Sequence, residues 1–353
     1  MKYFDTFTGI GGFTLAINNA YEIRNANRGE NRGSKENSEG NKTQGFQSEK
    51  GQNTCTEKRP VGECPSNFSN ERPLCVGYSE IDKYASSIYQ KHYPEHKNYG
   101  DITKINAEEL PDFDLLVGGF PCQAFSIAGK RAGFEDTRGT LFFDLARILQ
   151  TKRPRLFVFE NVKGLLSHDK GNTFKTIIST IDELGYDCQW QVLNSKNFGV
   201  PQNRERVFII GHLRGTSRPE VFPITESAGK DIEQINNPTH SNDRVYGTAG
   251  VSPTLNTMQG GNRQPKIYDD YNSSWRKDDI AGTLTLNVGS KAERNGMKVD
   301  DGLKIRRLTP IECERLQGFP DNWTEGISDT QRYKCCGNAV TVNVVAHIMK
   351  YIV

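Results

Sequence analysis

Short apolar runs recur along the chain with stretches of helical periodicity between them, and that alternation constrains the fold more than any other feature. Residues 3–7, 74–79, 113–120, 156–159, 187–193 and 206–210 read as strands, and residues 13–20, 82–93, 107–110, 139–150 and 167–184 as helices. Strands alternating with helices predict an α/β fold built on a doubly wound, mainly parallel sheet, in which reactive groups gather where strands end. The run Leu115-Leu116-Val117-Gly118-Gly119-Phe120 passes directly into Pro121, Cys122 and Gln123, which puts a thiol at the mouth of the sheet. Leu156-Phe157-Val158-Phe159 leads in the same way into Glu160. One strand end thus offers a nucleophile and another an acid. A free cysteine is by itself more often a small core hydrophobe, and that reading stays open at this stage.

The first strand is followed by Thr8-Gly9-Ile10-Gly11-Gly12, a glycine-rich turn that opens a helix, as in nucleotide-binding βα units. Glycines there let the backbone approach a ligand, and the helix start offers free amides. The spacing is not GxGxxG, so the turn alone also fits a plain connection. Glu80, after the second strand, suits ribose hydroxyls or a solvated chain end. Between about 24 and 72 the composition shifts to Asn, Gly, Ser, Glu, Lys and Gln with almost no aliphatic residue, which predicts a disordered insert.

Lys and Arg nearly cancel Asp and Glu, leaving a formal net charge of +2, so any nucleic-acid surface has to be a local patch. No apolar stretch approaches the length of a membrane span, and the N-terminus enters a strand without a signal-peptide core; the expectation is a soluble, cytoplasmic protein without a membrane partner. Eight cysteines without a CxxC cluster suggest neither a disulfide scaffold nor a metal site.

Residues 215–301 break the rhythm. They are rich in Gly, Asn, Asp, Thr and Pro, and contain two similar phrases, Ser252-Pro253-Thr254-Leu255-Asn256-Thr257 and Ala281-Gly282-Thr283-Leu284-Thr285-Leu286. The alternatives are hairpins of an irregular β domain or a loop-rich surface that contacts a long polymer. Thr309, Pro310 and Glu312 then spell a capping box, with Gly318 as the stop, and a last helix follows Gly337-Asn338 to about 352 and returns to the sheet. Arg204 and Arg206, two apart on an extended segment, share a side, and Gln202 shares it with them. Without further context they read equally as solvated strand-edge groups.

Taken together, Asp5-Thr6-Phe7-Thr8-Gly9-Ile10-Gly11-Gly12-Phe13, Gly118-Gly119-Phe120-Pro121-Cys122-Gln123, Phe159-Glu160-Asn161-Val162, Gln202-Asn203-Arg204-Glu205-Arg206, Arg307-Leu308-Thr309-Pro310 through Gln317-Gly318-Phe319-Pro320, and Gly337-Asn338-Ala339-Val340 stand in the order of a known family. The chain resembles the bacterial and phage C5-cytosine DNA methyltransferases of restriction-modification systems over nearly everything but the polar insert and the variable region. The resemblance implies a catalytic domain over 1–214, a smaller β-rich target-recognition domain over 215–317, and a return to the catalytic domain over 318–353. It implies S-adenosylmethionine as methyl donor and no metal. Phe7, Gly9, Ile10, Gly12, Glu80, Ile81, Asp101, Ile102, Pro121, Leu141, Asn338 and Val340 would form the donor site.

The implied chemistry explains the residue types. Cytosine C5 becomes nucleophilic once a thiolate, here Cys122, adds to C6. A proton shared with N3 assists that addition, and Glu160, preceded by apolar residues, is expected to hold one. Arg204 and Arg206 would orient the base and support Cys122 and Glu160, with Gln202, Thr254 and Thr283 as substrate contacts. The target base would have to leave the duplex stack. The implied partners are double-stranded DNA and a cognate endonuclease, with the enzyme acting as a monomer. An RNA-directed enzyme of the related branch that acts on tRNA is a rival, set apart by the large 215–301 region, which that branch mostly lacks. A catalytically silent DNA-binding protein is another, opposed by intact Cys122, Glu160 and Arg204.

Overall fold

Both faces of the central sheet are buried, and the alternation of side chains along each strand divides them between two cores. A computed structural model describes residues 1–36, 71–121, 141–225 and 305–353, with the short pieces 245–246, 252–255 and 266–268. Among these residues, β1 (Lys2–Thr6), β2 (Leu74–Ser79), β3 (Leu115–Gly119), β4 (Leu156–Val162), β5 (Tyr186–Asn194) and β7 (Glu205–Leu213) form a six-stranded sheet in the order β2-β1-β3-β4-β7-β5. Neighbours from β2 to β4 are parallel, and β7 runs antiparallel to both β4 and β5. The sheet is therefore mainly parallel with one reversed strand, and its order turns back between β1 and β3, the kind of switch point where such sheets bind ligands.

Tyr3, Leu115, Val117, Leu156, Val158, Phe208 and Ile210 face one core; Phe4, Leu116, Phe157, Phe159, Val207 and Ile209 face the other. This is the period of two expected of a strand, and burial on both sides explains why the runs look continuously apolar. The first core is covered by α1 (Gly12–Glu36), α2 (Lys83–His92) and α7 (Val342–Met349), so the end of the chain packs against its first helix. The second is covered by α3 (Leu141–Lys152) and α4 (Asn172–Glu183). The capping box forms as its spacing predicts. Thr309 Oγ1 accepts from the Glu312 amide at the start of α5 (Pro310–Leu316), and the Glu312 carboxylate accepts from the Thr309 amide.

Three elements depart from the reading of the sequence. Helix α1 does not stop near residue 20 but continues to Glu36, so the first part of the segment expected to be disordered is helical. The buried start of α1 has already met the nucleation cost, and each further turn needs only propagation. The rest of the insert, 37–70, lies outside the described residues. The helix expected over 167–184 begins only at Asn172, because Asp169, Lys170 and Gly171 all adopt positive φ and close a tight turn before it. The piece at 107–110 is a single 3-10 turn, Ala107–Glu109, capped by Asn106. In addition, α6 (Asp329–Asn338) precedes the last helix, and the chain breaks at 339–341 between them.

The variable region contributes β8 (Val245–Tyr246), β9 (Ser252–Pro253) and β10 (Lys266–Tyr268). Strand β10 lies between β8 and β11 (Ile305–Arg307), and β9 pairs with β6 (Gln202–Asn203).

Packing at the sheet centre leaves no slack. Gly211 lies opposite Phe157, and a Cβ on Gly211 would stand 2.0 Å from the Phe157 ring, which stacks on Phe159 at 4.4 Å. Gly211→Ala is therefore expected to cost about 1–3 kcal/mol of unfolding free energy, measured by urea denaturation. Phe157→Leu in the same chain should recover part of that loss. An additive double mutant would contradict this account.

Candidate active site

The carboxyl ends of β1, β3 and β4 open into one cavity of about 570 Å³. On one side the turn after β1 is held by its own backbone. Thr8 Oγ1 donates to the Asp5 carbonyl, Gly11 N donates to the Thr8 carbonyl, and Phe7, Gly9 and Gly11 take positive φ. A Cβ on Gly9 would meet nothing within 4 Å, so the turn presents open space to the cavity it lines. Glu80 fastens this turn to the end of β2, accepting from the amides of Gly9 (Oε2, 2.8 Å) and Asp82 (Oε1, 2.8 Å). Burial shifts its carboxyl upward, partly offset by those amides. Asp82 caps α2 through Oδ1 and receives Lys334 Nζ of α6 at Oδ2, 2.6 Å. Burial pushes the Asp82 carboxyl up, but Lys334 and the helix amides outweigh it and hold the group below its ordinary value.

On the other side stand the ends of β3 and β4. Asn161 is buried, and its Nδ2 donates to the Phe120 carbonyl at 2.9 Å. That bond fixes the chain at Phe120, from which Pro121 leads to Cys122; Cys122 itself lies outside the described residues. Glu160, at the end of β4, faces the cavity with Arg206 Nε 3.0 Å from Oε1. The contact is an ion pair out of hydrogen-bond alignment, so buried Oε1 has no hydrogen bond among the described residues. The apolar surroundings expected for Glu160 are thus only half present: its strand is apolar, but its carboxyl meets a guanidinium.

Arg204 is 3% exposed. Its Nη1 donates to the Leu255 carbonyl at 3.2 Å, and its Nη2 to the carbonyls of Gly337 at 3.2 Å and Ala339 at 2.9 Å. Burial and then the neighbouring Arg206 pull its pKa down to about 9. Gln202 is fully buried, with Oε1 accepting from Leu255 N at 3.0 Å and Nε2 donating to the Leu316 carbonyl at 2.7 Å. Its amide is thereby engaged within the protein.

Phe7, Gly9, Glu80, Pro121 and Asn338, expected at the donor site, line the cavity together with Glu160, Arg204, Arg206 and Thr254. Ile10, Gly12, Ile81, Asp101, Ile102, Leu141, Val340 and Gln202 are not in its wall. Gly12 packs on Val340, whose Cγ1 a Cβ on Gly12 would approach to 2.7 Å. Ile81 is 75% exposed beside Glu80, and Asp101 caps a short 3-10 turn by accepting from Thr103. Thr283 lies outside the described residues. Asp82, Ala85, Asn161, Leu255, Cys335 and Gly337 also line the cavity and were not singled out as site residues. Asp82 carried a signal in sequence, an Asp directly ahead of a helical run. Asn161 and Gly337 stand in the phrases around Glu160 and Asn338, whereas Ala85, Leu255 and Cys335 carry no such signal, because packing between segments brings them in.

A family model described as C-5 cytosine-specific DNA methylase matches residues 61–353. The chain is 39% identical over 284 residues to the type II methyltransferase M1.ScrFI of Lactococcus lactis subsp. cremoris, covering 78% of this chain and 71% of that one. It is 37% identical over 289 residues to M.HhaI of Haemophilus parahaemolyticus (78% and 86% covered). With M.HaeII of Haemophilus aegyptius it shares 42% over 279 residues (76% and 83%). Among solved structures, a DNMT2 mutant of Spodoptera frugiperda superposes with a TM-score of 0.60 at 18% identity, over 99% of this chain and 98% of that one. A putative DNA modification methyltransferase from prophage Cp of E. coli superposes at 0.57 and 17% identity, over 100% and 98%. At such identities the structural likeness speaks for the fold.

Asp5, directly beneath the glycine turn, yields a pH prediction. Fully buried, it accepts from Thr14 Oγ1 at Oδ2 (2.9 Å), while Oδ1 has no partner among the described residues. Burial, only partly offset by Thr14 and Thr8, raises its pKa from 3.8 to about 7. Across that window the folded chain binds a proton that the unfolded chain does not, so stability is fullest near pH 4 and declines as pH rises toward 7. Asp5→Asn, always neutral, should flatten this part of the profile of urea midpoint against pH; an unchanged decline would exclude Asp5 as its source.

Proposed function

The chain belongs to the C-5 cytosine-specific DNA methylases, and on that footing we propose that the cavity receives one cytosine turned out of a DNA duplex, with a methyl donor beside it. The protein is a sequence-specific DNA (cytosine-5)-methyltransferase. One observation carries the assignment of its site: Glu160, Arg204 and Arg206 meet the glycine turn and Pro121 in a single cavity at the switch point of the sheet.

Cys122, two residues beyond the carbonyl held by Asn161, adds as a thiolate to C6 of the base. Glu160 donates a proton to N3 as the electrons displaced by that addition move through C5 and C4 onto N3, leaving an enamine whose C5 is nucleophilic. Arg206, paired with Glu160, keeps that carboxyl aimed at the base and offers Nη2 to base or phosphate, its Nη1 donating to the Glu205 carbonyl. As C5 takes the methyl group the proton returns from N3 to Glu160; a base then removes the C5 proton, the C5=C6 bond forms, and the C6–S bond breaks to release the thiolate. The base reaches this site only after leaving the stack, an exchange of a few kcal/mol met by the new contacts.

The proposed donor is S-adenosylmethionine, which supplies a methyl group on a sulfonium. The open space at Gly9 and the Glu80 carboxyl at the same mouth fit such a molecule. Phe7, Gly9, Glu80, Pro121 and Asn338 would hold it. Ile10, Gly12 and Val340 would shape the turn from behind, and Ile81, Asp101, Ile102 and Leu141 would come in at its adenine end. Residues 215–317 would form the recognition domain on a catalytic domain of 1–214 and 318–353, with Thr254 and Thr283 toward DNA and Gln202 bracing the base of that domain. The enzyme would act as a monomer in the cytoplasm, on DNA that a partner endonuclease also reads.

Three measurements test this reading. Cys122→Ala should abolish transfer of labelled methyl to duplex DNA while donor and DNA binding persist, and tRNA should accept no label from the parent enzyme. The parent should form a covalent adduct with a duplex carrying 5-fluorocytosine at its target, since fluorine does not leave as a proton does. Glu160→Gln should slow that adduct by roughly 10²-fold or more. Trapping at the parental rate would remove Glu160 from the mechanism, and turnover by Cys122→Ala would remove the thiol.

A further inference from the structure

Arg204 is a buried cation with no carboxylate in ion-pair range among the described residues; backbone carbonyls alone receive its hydrogen bonds. A charge in that state is costly to keep, and a well-packed apolar side chain would ordinarily serve the fold better. What the guanidinium does that an apolar group could not is reach in two directions. Nη1 holds Leu255, at the foot of the variable region, while Nη2 holds Gly337 and Ala339, on either side of Asn338 in the donor wall. We infer that Arg204 is a positioning residue that couples DNA recognition to donor binding: engagement of DNA by the variable region reaches the donor pocket through this one side chain. The inference rests on the function proposed above and adds a connection between its two ligands.

The surroundings make the foot of the variable region a stiff lever. Ser252 N donates to the Pro201 carbonyl at 2.6 Å, Thr254 Oγ1 to the Asn203 carbonyl at 2.7 Å, and Gln202 Oε1 accepts from Leu255 N. Segment 252–255 is thus tied to the short strand β6, next to Arg204, and displacing it pulls on the guanidinium. At the far end the carbonyls lie at the break between α6 and α7, where the helical hydrogen-bond ladder is interrupted. Gly337 and Ala339 flank Asn338 directly, so a shift of their carbonyls moves Asn338. Lys in place of Arg204 keeps the charge but has no planar fork to span two segments.

The experiment measures how much DNA tightens the donor site. The probe is S-adenosylhomocysteine, titrated calorimetrically with and without a duplex carrying the sequence found by bisulfite sequencing of plasmid methylated by the enzyme. In the parent the ratio of the two affinities should depart from one by a factor in the range of about 5 to 150 typical of coupled sites, and duplex affinity measured with and without the probe should change by the same factor. In Arg204→Lys the ratio should fall to within about twofold of one. The duplex is held at a concentration shown to saturate each variant, so a general loss of affinity does not imitate the effect. Thr254→Val, which removes the pin to Asn203 and leaves the buried cation in place, should lower the ratio in part and serves if Arg204→Lys does not fold. A parent ratio of one would overturn the inference, and so would a parental ratio in Arg204→Lys or, where that variant does not fold, in Thr254→Val. A parent that methylates no DNA would instead overturn the function on which it rests.

Discussion

Burial of β3 and β4 on both faces is the constraint from which the rest of the molecule follows. Side chains along these strands have no solvent to turn to, so β3 and the first four residues of β4 are apolar or glycine, and polar groups enter β4 only after Phe159. Glu160 and Asn161 stand where the apolar pattern gives out, and Gly118 marks how tightly the strands below them are set. A Cβ there would come within 2.1 Å of Thr6 Oγ1, which donates to the Val117 carbonyl. The ends of β1 and β3 are therefore locked together before any ligand arrives. Asn161 extends the lock to Phe120, so the approach to Cys122 is set by backbone contacts and not by a flexible side chain. Preorganisation of this kind is what a site needs if its groups are to meet a base in one geometry.

The acidic groups around the cavity show how position decides chemistry. Asp5 lies below the turn and is held toward its neutral form, Asp82 lies at a helix start beside Lys334 and is held ionised, and Glu80 stands between them. None of these differences is visible in residue type. They come from whether a carboxyl faces a packed core, a cation or a row of amides.

The strand ends could be read from the sequence because each announces itself locally, as an apolar run meeting Cys122, Glu160 or Glu80. So could the cap at Thr309, where the signal spans only the four residues from Thr309 to Glu312. The knot beneath the variable region could not. Arg204 meets carbonyls 51, 133 and 135 residues away, and carbonyls carry no side-chain identity that a pattern could reveal. Gln202 likewise looked like a group facing substrate because it shares a side with Arg204 and Arg206, yet its amide is consumed by Leu255 and Leu316. The extension of α1 to Glu36 escaped because composition reports whether a segment can bury a core, not whether a helix already begun will continue through it.

The reversal of β7 has an effect on the chain that follows it. An antiparallel strand begins at the edge where its parallel neighbours end, so residues 202–206 reach the site while Leu213 is left at the opposite edge. The chain then climbs back beside β5, and Gln189 and Gln191 act as rungs. Gln189 binds the Pro219 carbonyl and the Phe222 amide, and Gln191 binds both backbone groups of Ile224. The chain thus leaves from a rail fixed to the sheet at 224 and comes back to a capped helix at 309. Between two anchors of that kind, the entropic cost of a longer connection grows only logarithmically, about 0.6 kcal/mol for each doubling. The fold has in effect a socket, and what is plugged into it can change in length while the sheet bears almost none of the cost.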